Sequence, residues 1–150
     1  MTRLISIVAF LLWAAGANSG PAKCEFDIVV GDYLKFSSDE MLIKKSCGNV
    51  SINLVHEGKL PANLMGHNWV LTKTAHVEAA ATSGIMAGLD NDYVEKDDNR
   101  ILAWTKIIGG GEKTSMSFST SDLTVAGDYT FFCSFPGHSY GMKGKLIVTK

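Results

Sequence analysis

Tyr129-Thr-Phe-Phe-Cys133-Ser-Phe-Pro-Gly-His138-Ser-Tyr-Gly-Met142 is the stretch on which the reading of this chain turns. Its first five residues are a β-branched and aromatic run ending in cysteine, the composition of a strand buried on both faces. The segment after Cys133 carries Pro136, Gly137 and Gly141 with no periodicity, so it forms a loop. A thiol, an imidazole and a thioether therefore stand close together directly after a buried strand. A loop of this length can fold back and aim all three at one point.

Each of the three has an ordinary explanation when taken alone. A cysteine in a buried strand is often a small hydrophobe, a methionine is usually core, and a histidine at a strand end is usually a polar turn residue. Their joint spacing, C-x4-H-x3-M, points to chemistry instead. Thiolate and thioether are soft donors that favour copper, and imidazole suits both of its oxidation states. Zinc takes thiolate and imidazole but rarely methionine. Upstream, Met65-Gly66-His67-Asn68 opens another strand-like segment and offers a second imidazole. His67, Cys133 and His138 would then form a trigonal plane with Met142 as weak axial donor, which is a blue-copper arrangement.

Outward from that loop the sequence alternates with period two. Phe26, Ile28 and Val30 are in phase, as are Val50, Ile52, Leu54 and His56, and again Thr114, Met116 and Phe118. Trp69–Thr72 and Leu146–Thr149 read as more fully buried strands. Gly31-Asp32, Glu57-Gly58, Gly109–Gly111 and Ala126–Asp128 punctuate them as turns. Six to eight short strands at this spacing predict an all-β protein, a two-sheet antiparallel sandwich with Greek-key connections. Thr74–Gly88 breaks the pattern: it is alanine-rich and predicts a short helical flap closed by Gly88. The charged segment Asp90–Arg100 reads as a solvated loop.

The N-terminal segment reads as an export signal. Arg3 precedes an apolar run, Leu4–Ala15, shorter than the ~18–20 residues needed to span a bilayer. Residues 1–22 are therefore expected to be a secretory signal peptide, with Ala17 and Ala22 as alternative cleavage points, and 23–150 a single domain. Export makes the three cysteines legible. Cys24 and Cys47 frame a short loop in which a disulfide would stabilise the fold by roughly 3 kcal/mol. That pairing leaves Cys133 as an unpaired thiol, either inert in the core or bound to a metal. Lys and Arg number 14 against 15 Asp and Glu, for a formal charge of −1. So even a balance argues against nucleic acid and against stable attachment to an anionic membrane surface.

With these motifs in place, the chain resembles the azurin family of cupredoxins, the type 1 blue copper proteins. The likeness runs through Cys24, Cys47, Met65–Leu71, Gly88-Leu-Asp90, Gly111–Lys113 and Phe131–His138, and covers essentially all of 23–150. The resemblance implies an eight-stranded Greek-key β-sandwich with a helical flap, and a Cys24–Cys47 disulfide. It implies one copper ion on His67, Cys133, His138 and Met142, with the carbonyl of Gly66 as a distant second axial contact. By the same likeness Asn68 hydrogen-bonds the ligand loop, Trp69 is the core tryptophan, and His56 is a buried histidine beside the site. Tyr140 departs from the family, and either covers part of the site or adds a hydroxyl to the face around it.

Electron transfer follows from such a donor set, because four protein ligands leave no open position for substrate. The expected protein is a periplasmic carrier and not an enzyme. His138 would be the exit, surrounded by Leu60, Leu64, Met65, Ile85, Phe135 and Pro136 as an apolar docking patch for brief encounters. Redox proteins are the expected partners; c-type cytochromes and copper nitrite reductase are those the resemblance implies, and a monomer is expected. The alternative is a periplasmic copper chaperone or storage protein. Such proteins present exposed Met- or His-rich clusters, whereas the six Met and four His here are dispersed.

Overall fold

A computed structural model describes residues 22–150; the expected leader lies outside the described residues except for Ala22. In chain order the strands are β1 (Glu25–Val30), β2 (Glu40–Lys44), β3 (Asn49–His56), β4 (Val70–Lys73), β5 (Ile101–Trp104), β6 (Lys113–Ser119), β7 (Tyr129–Phe132) and β8 (Lys143–Thr149). A short helix α1 (Ala62–Met65) precedes β4, and α2 (Val77–Ala87) lies between β4 and β5. The strands form two sheets, β1-β3-β6 and β2-β8-β7-β4-β5. This is the expected eight-stranded sandwich with a helical flap.

The sheets are mixed rather than antiparallel. β1 runs parallel to β3, and β2 runs parallel to β8. The reason is topological. β1 and β2 belong to opposite sheets, so the chain crosses the core after β1 and crosses back after β2. Parallel neighbours need such a crossover and cannot be joined by a tight hairpin. Period-two reading does not single out β2 or β5, since each is too short to show repeated alternation. β8 is not buried on both faces as its apolar run suggests: it alternates, with Lys143 and Lys145 turned to solvent.

Alternation places the core between the sheets. Ile28, Val30, Ile52 and Leu54 from one sheet meet Leu71, Phe131 and Leu146 from the other. Trp69 fills the centre, its ring stacked on Phe118 (5.9 Å) and Phe131 (5.6 Å). β7 is buried along its whole length because α2 roofs its outer face. There Ala80 and Ala81 pack with Val70, Val94 and Phe132. The helix is shorter than the Thr74–Gly88 expectation because Thr74–His76 forms a tighter 3-10 turn. Gly88 ends the helix with φ 78°, a value that favours glycine.

Cys24 and Cys47 are bonded across 23 residues and brace the β1–β3 crossover. Beside them the Lys45 ammonium donates to the carbonyls of Thr120 (2.6 Å), Ser121 (2.8 Å) and Leu123, tying the disulfide loop to the β6–β7 turn. A Cys24→Ala/Cys47→Ala protein should lose about 3 kcal/mol, the loop-closure entropy regained by its unfolded state. Urea unfolding measures this as a lower midpoint, with a slope no smaller than the parent's because the freed unfolded chain exposes more surface. A midpoint equal to the parent's would mean the crossover is held without the bond.

Candidate metal centre

Three side chains from two separate parts of the chain converge at one end of the sandwich. Cys133 follows the last residue of β7 and is fully buried. His67 lies just ahead of β4, pinned by a two-way backbone bridge to Ile108: its N–H donates to the Ile108 carbonyl (3.0 Å) and its carbonyl accepts the Ile108 N–H (2.9 Å). His138 is brought back by the loop, where its N–H donates to the Phe135 carbonyl (2.9 Å). Nδ1 of His67 lies 3.7 Å from Cys133 Sγ, and Nδ1 of His138 lies 3.6 Å from it. All three donor atoms fall within 4.8 Å of one another, and no carboxylate belongs to the cluster.

The surroundings decide which lone pairs face inward. His67 Nε2 sits 2.8 Å from the Gly31 carbonyl, which can only accept, so Nε2 carries the proton and Nδ1 presents its lone pair to the cluster. Met142 is buried in the same apolar cluster as Cys133. Its carbonyl accepts the Cys133 N–H (3.0 Å) and its own N–H donates to the His138 carbonyl (2.8 Å), so the loop is closed on itself. The Gly66 carbonyl oxygen is 3.9 Å from Sγ. Asn68 stitches the two halves together: its Oδ1 accepts the Ser134 N–H (2.9 Å), and its Nδ2 donates to Ser134 Oγ (2.8 Å) and to the Asp92 carbonyl (2.7 Å).

Burial dominates the electrostatics. It pushes His67 down to about 4 from 6.5, reinforced by the nearby imidazoles of His138 and His56 and opposed by the bond to Gly31. It lowers His138 as well. It pushes the Cys133 thiol up to about 12, although the backbone N–H groups of Asn68 and Phe135 favour the thiolate. Two neutral imidazoles and a soft sulfur, desolvated and aimed at one point, suit a copper ion. A cation there would supply the charge that makes a buried thiolate affordable.

The remaining sequence candidates differ in exposure. Leu60, Leu64, Ile85 and Pro136 are exposed, and Met65 and Phe135 are half-buried. The Phe135 ring packs on the His138 ring at 4.4 Å. His138 itself is only 6% exposed. Tyr140 is 84% exposed, so it stands off the site rather than covering it. His56 is buried and stacked on His67 at 5.1 Å. It accepts the Gly58 N–H at Nδ1 (3.0 Å) and donates from Nε2 to the Met65 carbonyl (3.0 Å).

Sequence reading missed four contributors. Gly31 was legible only as a turn, and Ser134 only as a loop residue. Asp92 and Tyr93 fall in the segment expected to be a solvated loop, yet they touch the site and Val94 beside them is buried. Nothing in their residue types distinguishes backbone carbonyls that will accept a side-chain amide.

Comparison with known proteins agrees with this geometry. Residues 22–149 match the copper binding proteins of the plastocyanin/azurin family. The azurin of Bordetella pertussis is 52% identical over 136 residues, 91% of each chain. The azurin of Pseudomonas aeruginosa PAO1 is 47% identical over 148 residues, 99% of each. Among solved structures, azurin Az-iso2 from the methylotroph Methylomonas sp. strain J superposes with a TM-score of 0.82 at 43% identity, covering 86% of this chain and all of that one.

The protonation behaviour of the metal-free protein sets a pH window. Between about 6.5 and 4 the unfolded chain takes up a proton that folded His67 refuses, so stability falls as pH drops. Above 9.0 the unfolded chain loses the Cys133 proton that the folded core keeps up to about 12, so stability falls as pH rises. The metal-free protein should be most stable from about pH 6.5 to 9 and lose on the order of 2 kcal/mol through His67 between pH ~7.5 and ~5. Urea midpoints across that range test it. A His67→Gln variant with the same acid slope as the parent would assign the loss to other groups.

Proposed function

The chain belongs to the plastocyanin/azurin family of copper binding proteins, and from that premise we propose that it is a periplasmic carrier of single electrons. His67, Cys133 and His138 would hold its copper, Met142 would add a weak thioether donor along the axis, and the Gly66 carbonyl would be a more distant contact. Bound copper supplies a one-electron couple between Cu(I) and Cu(II). The observation that carries the reading is the meeting of one thiol and two imidazoles, all buried, within 4.8 Å.

The protein's own groups set the conditions for that couple. Gly31 fixes the tautomer of His67, so its lone pair needs no rotation to bind. Asn68 and Phe135 direct N–H groups at the sulfur, which favours the thiolate that Cys133 becomes on losing its proton. The β-sandwich holds the donors in place while the charge changes, which keeps rearrangement small. With four protein donors around the ion no position would remain for a substrate, which supports a carrier rather than an enzyme. The buried donors also speak against a chaperone, which must hand its ion over.

His138 is the exit, with Leu60, Leu64, Met65, Ile85, Phe135 and Pro136 as the apolar face that meets a partner. The partners are redox proteins, among them c-type cytochromes and copper nitrite reductase, met briefly by a monomer. Residues 1–22 direct export and 23–150 form the working domain. The Cys24–Cys47 disulfide supports an oxidising compartment, and among the described residues no helix is long and apolar enough to cross a membrane.

Loading the protein with Cu(II) should produce an intense visible band, and Cys133→Ser should abolish it while the far-UV spectrum of a folded β-protein remains. A Cys133→Ser protein that kept the full band would overturn the assignment of the thiolate. Met142→Leu should keep the copper and the colour but raise the reduction potential, because an axial sulfur donor favours Cu(II). Each tenfold change in that preference is about 59 mV by voltammetry. A potential equal to or below the parent's would count against Met142 as axial ligand.

A further inference from the structure

Two adjacent residues without a glycine's freedom adopt left-handed backbone: Asp92 (φ 60°) and Tyr93 (φ 52°). L side chains rarely take this conformation, and a bulky one such as tyrosine takes it only where its surroundings insist. The corner is held by backbone bonds, with the Asp92 N–H donating to the Leu89 carbonyl (2.9 Å) and the Tyr93 N–H to the Gly88 carbonyl (2.9 Å). From it three contacts run inward. The Asp92 carbonyl accepts from Asn68 (2.7 Å), the Asp92 carboxylate accepts the Ile107 N–H (2.9 Å), and the Tyr93 ring meets Phe135 edge-on at 5.4 Å.

The corner fits because α2 has a notch. A Cβ placed on Gly84 would run into the Tyr93 carbonyl oxygen, whereas it would meet Ser134 Cβ only at an ordinary 3.7 Å. So Gly84, where the helix faces the corner, has no side chain, and the corner's backbone occupies the space.

We propose that Tyr93, with Asp92 seated against Gly84, is a positioning element for the copper centre, linking the flap to both ends of the ligand loop. One branch runs through the Asp92 carbonyl, Asn68 and Ser134 to Cys133. The other runs through the Tyr93 ring and Phe135 to the His138 ring. The inference rests on the copper reading for its consequence, but the linkage itself is a property of the metal-free protein.

Gly84→Ala is the decisive variant because two explanations give opposite signs. As a helix substitution alone it raises helix propensity and should stabilise. As an intrusion on the corner it should push Tyr93 and Asp92 outward and loosen Asn68. In the metal-free protein, amide exchange of Ser134, whose N–H is held by Asn68, should then quicken at least about tenfold while Ile52 in the other sheet is unchanged. In the copper-loaded protein the reduction potential should fall, because weaker N–H bonding at the sulfur favours Cu(II). Tyr93→Phe should leave both readouts at the parent's values. Unchanged Ser134 exchange with a more stable protein would overturn the proposal.

Should Gly84→Ala not fold, Tyr93→Ala decides: it keeps the Asp92 carbonyl but should shift the His138 ring resonances of the metal-free protein. Unshifted His138 resonances would overturn the proposal. A quickened Ser134 amide in a protein that shows no thiolate band with Cu(II) would uphold the linkage and refute the copper reading instead.

Discussion

Asn68 and Ser134 are bonded in both directions, side chain to backbone and side chain to side chain, and the centre depends on that pair. His67 precedes Asn68 by one residue and Cys133 precedes Ser134 by one. Locking the second residue of each pair therefore fixes the distance between the first residues. Neither bond touches a ligand atom. Their effect is to turn two strands of one sheet into a single support, so that an imidazole and a sulfur 66 positions apart in sequence stay 3.7 Å apart in space. Both bonds are buried, where a hydrogen bond is stronger and an unmade one costs more.

That stitch has to oppose an unfavourable burial. A cysteine and two histidines have been taken out of water without a carboxylate to accompany them. Each responds by staying neutral, which is why the imidazoles shift down and the thiol shifts up. A cation reverses the balance for the thiol: it makes the anion the preferred form and leaves the imidazole lone pairs already aimed. The same burial keeps water from competing for the ion. Asp92 and Tyr93, both left-handed, lie beyond the donors, against Asn68 and Phe135.

Much of this was legible in the sequence, for identifiable reasons. Period two is a local signal, so β1, β3 and β6 could be placed from Ile28, Ile52 and Phe118 alone. Cys133, His138 and Met142 could be grouped because one short loop carries all three. Sheet polarity was not legible. Whether β1 meets β3 parallel or antiparallel depends on the chain crossing the core twice, and no residue in either strand records that. Gly31 and Asp92 were invisible for a related reason: both act through carbonyl groups, which every residue has. Gly84 could be read only as a weak spot in a helix. Its purpose lies in the backbone it faces, 9 residues on in sequence and beyond any periodicity.

On the electron-carrier reading proposed above, shielding and electron passage make opposing demands on His138. A ligand open to solvent would admit water to the copper, and one wholly enclosed would keep a partner too far away. With 6% of His138 exposed, that edge would serve both demands. Pro136 and Phe135 belong to the same loop. The Phe135 ring packs against the imidazole at 4.4 Å, tilted by 34°, and shields that side of it from water. Tyr140 stands clear at the rim, where its hydroxyl stays in water. An apolar face of this kind is dehydrated cheaply on contact and holds no ion pairs that would slow release. On that reading one short loop carries both His138 and part of the face around it, and the loop's position is fixed by a strand behind it and a flap beside it.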